Sequence, residues 1–235
     1  MTYITKSELR KKLYLAHLNL KKNDLVLFSF GNISVKNPKD NSIFIKPSGI
    51  SYDKLSPESM VEVSLNTEEP IKNQFNPSTD TATHIEIYKA FNCNSVLHMH
   101  SEYATSFAQS RLSIKCTGTT HADYFLDDIP CTRSLSKDEV QKNYEKNTGL
   151  VIKETFNERD PMLTPGVLVP NHGQFVWGRT IDQTLQNAIM LEYIAKIQFK
   201  VQCLSNSNTN MDKFLIEKHY YRKHGRNSYY GQIKK

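Results

Sequence analysis

Ser95-Val96-Leu97-His98-Met99-His100 is the stretch on which the reading of this chain turns. On a β-strand, residues two apart share a face. His98 and His100 therefore project side by side, while Leu97 and Met99 pack on the other face. Two imidazoles fixed on one strand are half of a typical metal site. A third candidate stands far downstream in Pro170-Asn171-His172-Gly173, after the apolar run Val167 to Val169. A lone histidine reads first as a satisfied core group, but this strand spacing together with His-Gly after a second strand favours a metal. Three neutral nitrogen donors suit Zn²⁺ and leave a position open for substrate. Asp80, near a helix start, is either a further ligand or an acid/base group.

Working outward, the chain alternates helical and strand-like patterns. Thr5-Lys-Ser-Glu8 forms a capping box, and Leu9, Leu13, Ala16 and Leu20 follow at helical spacing, so residues 6–22 are expected as a helix. Leu25 to Phe30 reads as an apolar strand, turned by Gly31-Asn32 into a second one at Ile33 to Val35. Further strands are expected at Ile43 to Lys46, Met60 to Leu65, 95–100, Val167 to Val169 and Gln174 to Trp177. Helices are expected over about 79–91, 101–110, 182–204 and 211–224, the last stopped by Gly225. A second capping box, Ser136-Lys-Asp-Glu139, opens a helix running to about 147. Ser205 to Asn210 reads as a short polar loop. With no repeat, no low-complexity tract and no linker, residues 1–235 are expected to form one domain.

Composition narrows the function classes. The 235 residues are 38% hydrophobic and 23% charged, as in soluble globular proteins. No apolar run approaches the roughly 20 residues of a membrane span, and the first residues carry no apolar export signal. Cys93, Cys116, Cys131 and Cys203 lack C-x-x-C spacing and read as reduced thiols of a cytoplasmic protein. The net charge of +6 is spread along the chain rather than gathered in a stripe, which argues against a nucleic-acid partner. An anionic small molecule is an equally simple use of such a field.

Three other segments carry chemistry. Lys46-Pro47-Ser48-Gly49 ends a strand with a cation, a hydroxyl and a glycine, and amides in such a turn cradle phosphate. Pro77-Ser78-Thr79 offers two hydroxyls at a helix start, where the dipole favours anions. Each segment alone also reads as ordinary turn or cap chemistry, as does Asn32 at its Gly-Asn turn. Thr117-Gly-Thr-Thr-His-Ala-Asp123 gathers hydroxyls, an imidazole and a carboxylate. Asp123 is a candidate general acid or base there, or the loop holds itself together by its own side-chain hydrogen bonds. The aromatic and basic tail from His219 to Tyr230 docks on its own domain or on a neighbouring subunit.

With these pieces assembled, the chain resembles the class II aldolase family, and within it the L-ribulose-5-phosphate 4-epimerase branch, nearly end to end. The resemblance is carried by Gly31-Asn32, Lys46 to Gly49, Ser78-Thr-Asp80, His98-x-His100-Ser, Thr117 to Tyr124, Ile129-Pro-Cys-Thr-Arg133, Pro165 to Val169, His172-Gly173, Lys218-His-Tyr220, Arg222-Lys-His-Gly225 and Tyr229-Tyr-Gly-Gln232. His-x-His alone indicates the wider family; the Thr-Thr-His-Ala-Asp run and the tail point to the epimerase branch. The resemblance implies a three-layer α/β/α fold around a largely antiparallel sheet, in homotetramers with sites between subunits. It places one Zn²⁺ per subunit on His98, His100 and His172 with Asp80 at or beside it, and a phosphate pocket on Asn32, Lys46, Ser48, Gly49, Ser78 and Thr79. It places an acid/base pair on Asp123 and, from a neighbouring subunit, Tyr230, with Thr119 and His219 lining the site. Thr79 stands where a second serine is common, and Pro170-Asn171 replaces His-Ser before His172. The related aldolases carry glutamate at the position of Asp80.

The implied reaction interconverts L-ribulose 5-phosphate and D-xylulose 5-phosphate, in arabinose or ascorbate catabolism, by breaking and remaking C3–C4. The rival enzyme reading is an aldolase of the L-fuculose or L-rhamnulose 1-phosphate type that releases its fragments. A non-catalytic interaction protein on the same fold, as in adducin, predicts lost metal ligands, yet all three histidines are present.

Overall fold

A computed structural model describes residues 4–72, 74–204, 210–225 and 228–231. Six strands form one antiparallel sheet in the order β3-β2-β1-β4-β6-β5. They are β1 (Asn32–Lys36), β2 (Ser42–Ile45), β3 (Val61–Ser64), β4 (Ser95–Met99), β5 (Gly166–Val169) and β6 (Gly173–Gly178). The central strand β4 pairs with β1 through Asn32 opposite His98, and with β6 through His98 opposite Phe175. Its side chains alternate as period two demands. Leu97 and Met99 enter a core with residues of α1 (Lys6–Lys22), α3 (Glu102–Gln109) and α7 (Ile181–Leu204). Val96 enters a second core on the opposite face, with Ile85, Ile87 and Ile152 from α2 (Thr81–Ala90) and α6 (Tyr144–Thr155). Helices on both faces of the sheet make the three layers expected from the resemblance. The remaining α-helices among the described residues are α4 (Thr119–Ala122), α5 (Lys137–Gln141) and α8 (Lys213–Lys223).

Both capping boxes form. Thr5 and Glu8 cap each other at α1, and Ser136 and Glu139 do so at α5. Two expected elements differ. Leu25 to Phe30 is a loop, not a strand: Leu25 N–H donates to Leu20 O, Phe30 N–H donates to Leu27 O, and Phe28 has φ 51°. Its backbone groups are spent in turns, and both edges of β1 are taken by β2 and β4. Leu27 and Phe28 consequently stay exposed, at 66% and 81%. The helix expected over 136–147 stops at Gln141, and α6 begins separately at Tyr144. Asn147 breaks it by donating its side-chain amide to the carbonyls of Glu139 and Lys142, and Asn143 turns the chain in the left-handed region at φ 59°. The polar loop expected at Ser205 to Asn210 lies, but for Asn210, outside the described residues. The four cysteines are free, and no described helix is long and apolar enough to cross a membrane.

Two histidines belong to the scaffold. His17 is fully buried; its Nδ1–H donates to Leu13 O at 2.8 Å and its Nε2 accepts from Ile33 N–H at 3.0 Å. His84 is fully buried beside Ser34, Nδ1 to Oγ at 2.7 Å. Burial lowers both to about 3. A folded-state pKa below the unfolded value leaves stability intact above about 6.5 and removes it as pH falls, because only the unfolded chain takes up the proton. At pH 5 each should cost about 2 kcal/mol of stability. Urea midpoints of the metal-free protein at pH 7.5 and 5.0 check this. The loss should shrink in His17→Gln, and equal midpoints would contradict neutral burial.

Candidate active site

The site begins where β4 ends. His98 is buried, and its Nδ1–H donates to Gln174 O at 2.9 Å, since a carbonyl can only accept. Its ring stacks on Phe175 with centroids 4.2 Å apart. That leaves His98 Nε2 as a bare lone pair, 2.9 Å from His100 Nε2. His172 arrives from the turn between β5 and β6, where Asn171 takes φ 57°. The glycine after it is required: a Cβ on Gly173 would lie 2.7 Å from Met99 O and 2.9 Å from the His100 ring. One potential ligand atom from each of His98, His100 and His172 falls within 4.8 Å of the others. Withdrawal from water, reinforced by the neighbouring imidazoles and opposed by Asp80, lowers His100 to about 4 and His172 to about 3. At neutral pH His100 and His172 hold no proton charge, and the facing nitrogens of His98 and His100 need a cation or a shared proton between them. This donor set fits a divalent transition metal.

The turn into α3 is pinned from α7. Glu192 accepts from Ser101 Oγ at 2.6 Å, Tyr103 N–H at 2.8 Å and Ala104 N–H at 3.0 Å, supplying the cap that the Ser101 side chain does not. The Gln174 side chain touches the same Ser101 hydroxyl. The residue that caps α3 therefore also anchors the end of the His-x-His strand.

Beside the histidines lies a pocket of about 260 Å³. Asn32, Lys46, Ser48, Gly49, Ser78, Thr79 and Asp80 all line it with the three histidines. Two loops are laced to form it: Ser48 N–H donates to Asn76 O at 3.0 Å, and Ser78 N–H to Lys46 O at 2.9 Å. Asn32 donates to Ser78 Oγ at 3.0 Å and to Asp80 Oδ2 at 2.7 Å, while its own Oδ1 is buried with no partner. Burial favours a raised pKa for Asp80, but His98, His84 and the Asn32 amide outweigh it and hold the carboxyl below its usual range. Lys46 is pulled down to about 8 by burial, against the charge of Asp80. The pocket thus brings together an imidazole cluster, a buried cation and several hydroxyls.

Asp123, Thr119, His219 and Tyr230 do not line this pocket within the chain. Asp123 instead accepts from His219 Nδ1 at 3.1 Å and Arg222 Nη2 at 2.9 Å, with Lys223 Nζ at 3.0 Å. Burial works to raise its pKa, but the hydrogen bonds from Arg222, Lys223 and His219 keep it lowered. Tyr230, 63% exposed, lies against Lys223, whose Nζ is 4.6 Å from the ring centroid. Thr119 opens the short α4 that leads to Asp123. Gln232 lies outside the described residues. The sequence reading missed Glu192, Gln174 and the Arg222 and Lys223 contacts to Asp123. Only the Arg-Lys of the tail motif signalled any of them, because the others depend on which helix packs where.

Residues 11–199 match the Class II Aldolase and Adducin N-terminal domain. An L-fuculose 1-phosphate aldolase structure is similar with a TM-score of 0.78 and 20% identity, over 93% of this chain and 97% of that one. The L-fuculose 1-phosphate aldolase from Glaciozyma antarctica PI12 is similar with a TM-score of 0.77 and 16% identity, over 97% of this chain and 88% of that one. YgbL from Klebsiella pneumoniae is similar with a TM-score of 0.73 and 19% identity, over 92% and 99%. At such identities these likenesses speak for the fold, and together with the match over most of its length they make this chain a member of the class II aldolase and adducin domain family.

Proposed function

We propose that the chain is a Zn²⁺-dependent L-ribulose-5-phosphate 4-epimerase. The observation that carries this reading is the joining, in one pocket, of a three-imidazole cluster with a buried lysine and two hydroxyl-bearing turns. His98, His100 and His172 would hold the metal, with Asp80 at or beside it. A divalent cation there supplies Lewis-acid stabilisation of negative charge developing on the ketose oxygens. Lys46, Ser48, Gly49, Ser78, Thr79 and Asn32 bind the 5-phosphate and keep the cleaved fragment from leaving.

The C4 proton is not alpha to the C2 carbonyl, so simple deprotonation does not serve. One of Asp123 and Tyr230 takes the proton of the C4 hydroxyl. The C4–O bond becomes a carbonyl, C3–C4 breaks, and its electron pair passes toward the C2 oxygen. The aldehyde turns its other face, C3–C4 reforms, and the second residue returns a proton to the C4 oxygen. Since neither residue lines the pocket of its own chain, and both lie against Lys223, this reading has Asp123 and Tyr230 together reach a neighbouring subunit's site in a homotetramer, with Thr119 and His219 nearby. The exposed Phe30, which lines the pocket, and the exposed Leu27 and Phe28 in the same loop support subunit contact there. The choice of epimerase over aldolase rests on the Thr-Thr-His-Ala-Asp run and the tail, and on Asp80 in place of glutamate.

The test is incubation of the zinc-loaded protein with L-ribulose 5-phosphate, followed by NMR. D-xylulose 5-phosphate should form, metal-dependently, without free glycolaldehyde phosphate. Accumulated fragments would make the protein an aldolase; no reaction with metal bound would leave the substrate wrong.

A further inference from the structure

The break between α5 and α6 has a consequence at the metal cluster. The capping-box helix expected to run through 147 ends at Gln141, and the left-handed Asn143 restarts the chain so that Tyr144 is the first residue of α6. The Tyr144 hydroxyl lies 3.3 Å from Nδ1 of His172. The helix carrying it is held rigidly. Gly149 sits so close to α2 that a Cβ there would be 2.6 Å from Glu86 Cβ and 3.1 Å from Thr83 O. Thr83 Oγ1 donates to Glu145 O at 2.5 Å, and Thr148 Oγ1 donates to Tyr144 O at 2.9 Å. Asp80 occupies the N-cap position of that same α2, without a side-chain cap hydrogen bond.

We propose that Tyr144 is a positioning residue for the metal: its hydroxyl oxygen accepts the Nδ1–H of His172, fixing that ring's tautomer and aim so that Nε2 is left for the ion. His98 is arranged in the same sense, with Gln174 O taking its Nδ1–H. A histidine ligand's second nitrogen ordinarily needs such a partner, and its loss weakens metal binding. His98 draws its partner from the backbone of β6, but the turn carrying His172 relies on a side chain from another helix. The kinked α5–α6 junction is what delivers it. This inference rests on the metal reading of the preceding section.

The test is Zn²⁺ affinity of the full chain, measured by competition with a chromophoric chelator, in wild type, Tyr144→Phe, Tyr144→Gln and His172→Asn. Tyr144→Phe should bind about 10–100-fold more weakly and shift the visible bands of the Co²⁺-loaded protein, with the metal-free melting temperature unchanged. Tyr144→Gln offers an acceptor oxygen and should bind more tightly than Tyr144→Phe. A merely structural role predicts the reverse order, since phenylalanine keeps the shape of tyrosine. Wild-type affinity in Tyr144→Phe, with His172→Asn losing the ion, would overturn this inference alone. Failure of the wild type to bind an ion would overturn the metal reading and this inference with it.

Discussion

His98→Asn should lose its metal and its turnover together while the fold survives. Of the three histidines, His98 is the buried one at the centre: its ring is fixed by Gln174 O, by stacking on Phe175 and by the strands on either side. Asparagine is too short to place a nitrogen where Nε2 stands, and the amide can still satisfy a carbonyl partner. Two imidazoles remain, one of them at the pocket's open side. Bound zinc, counted by elemental analysis after gel filtration, should fall from one per chain to a small fraction. Turnover should fall by about 10³-fold or more, since the Lewis acid supplies several kcal/mol of transition-state stabilisation. Far-UV circular dichroism should not change. Full activity with undiminished zinc would show that the ion sits elsewhere.

Lys46→Met should cripple substrate capture without touching the metal. Lys46 is only 2% exposed, and its ammonium donates to Ser29 O at 3.0 Å and to Pro47 O at 3.4 Å. Methionine fills a similar volume and leaves no buried charge, so the fold should tolerate it. On the proposed function, the variant gives up a charge-assisted hydrogen bond to a desolvated phosphate, worth about 2–5 kcal/mol. We expect kcat/KM to fall by about 10²–10³-fold, most of it in KM. Inhibition by inorganic phosphate should vanish, with zinc content unchanged. The pH profile provides a separate check. Burial lowers Lys46 to about 8, so the cation is present below that pH and lost above it. Phosphate affinity of the wild type should decline as pH rises past 8, and the variant should show no such decline. An unaltered KM with unaltered phosphate inhibition would remove Lys46 from the phosphate site.

Much of the fold could be read from local patterns because those patterns decide it locally. The alternation of Val96 to Met99 assigns faces on any strand, and the two capping boxes satisfy their own helix ends. Local patterns mislead where the needed sheet edge is already taken or a side chain claims the backbone. Leu25 to Phe30 has strand composition, yet a strand needs a free edge, and β1 has none to give. Ser136 to Asn147 has helical spacing, yet Asn147 competes for the carbonyls that continuation would need.

The same division applies to the site. Residue type and spacing along the chain picked out groups that line one pocket: imidazoles at 98, 100 and 172, a cation at 46, hydroxyls at 48, 78 and 79. Only the tertiary structure decided which of them meet. Sheet order brings the β5–β6 turn to the end of β4, and two laced loops put Lys46 beside Ser78. It also set Asp123 apart, ringed by His219, Arg222 and Lys223 from α8. Proximity between residues distant along the chain depends on which faces bury against one another, and that is a property of the whole core rather than of any segment.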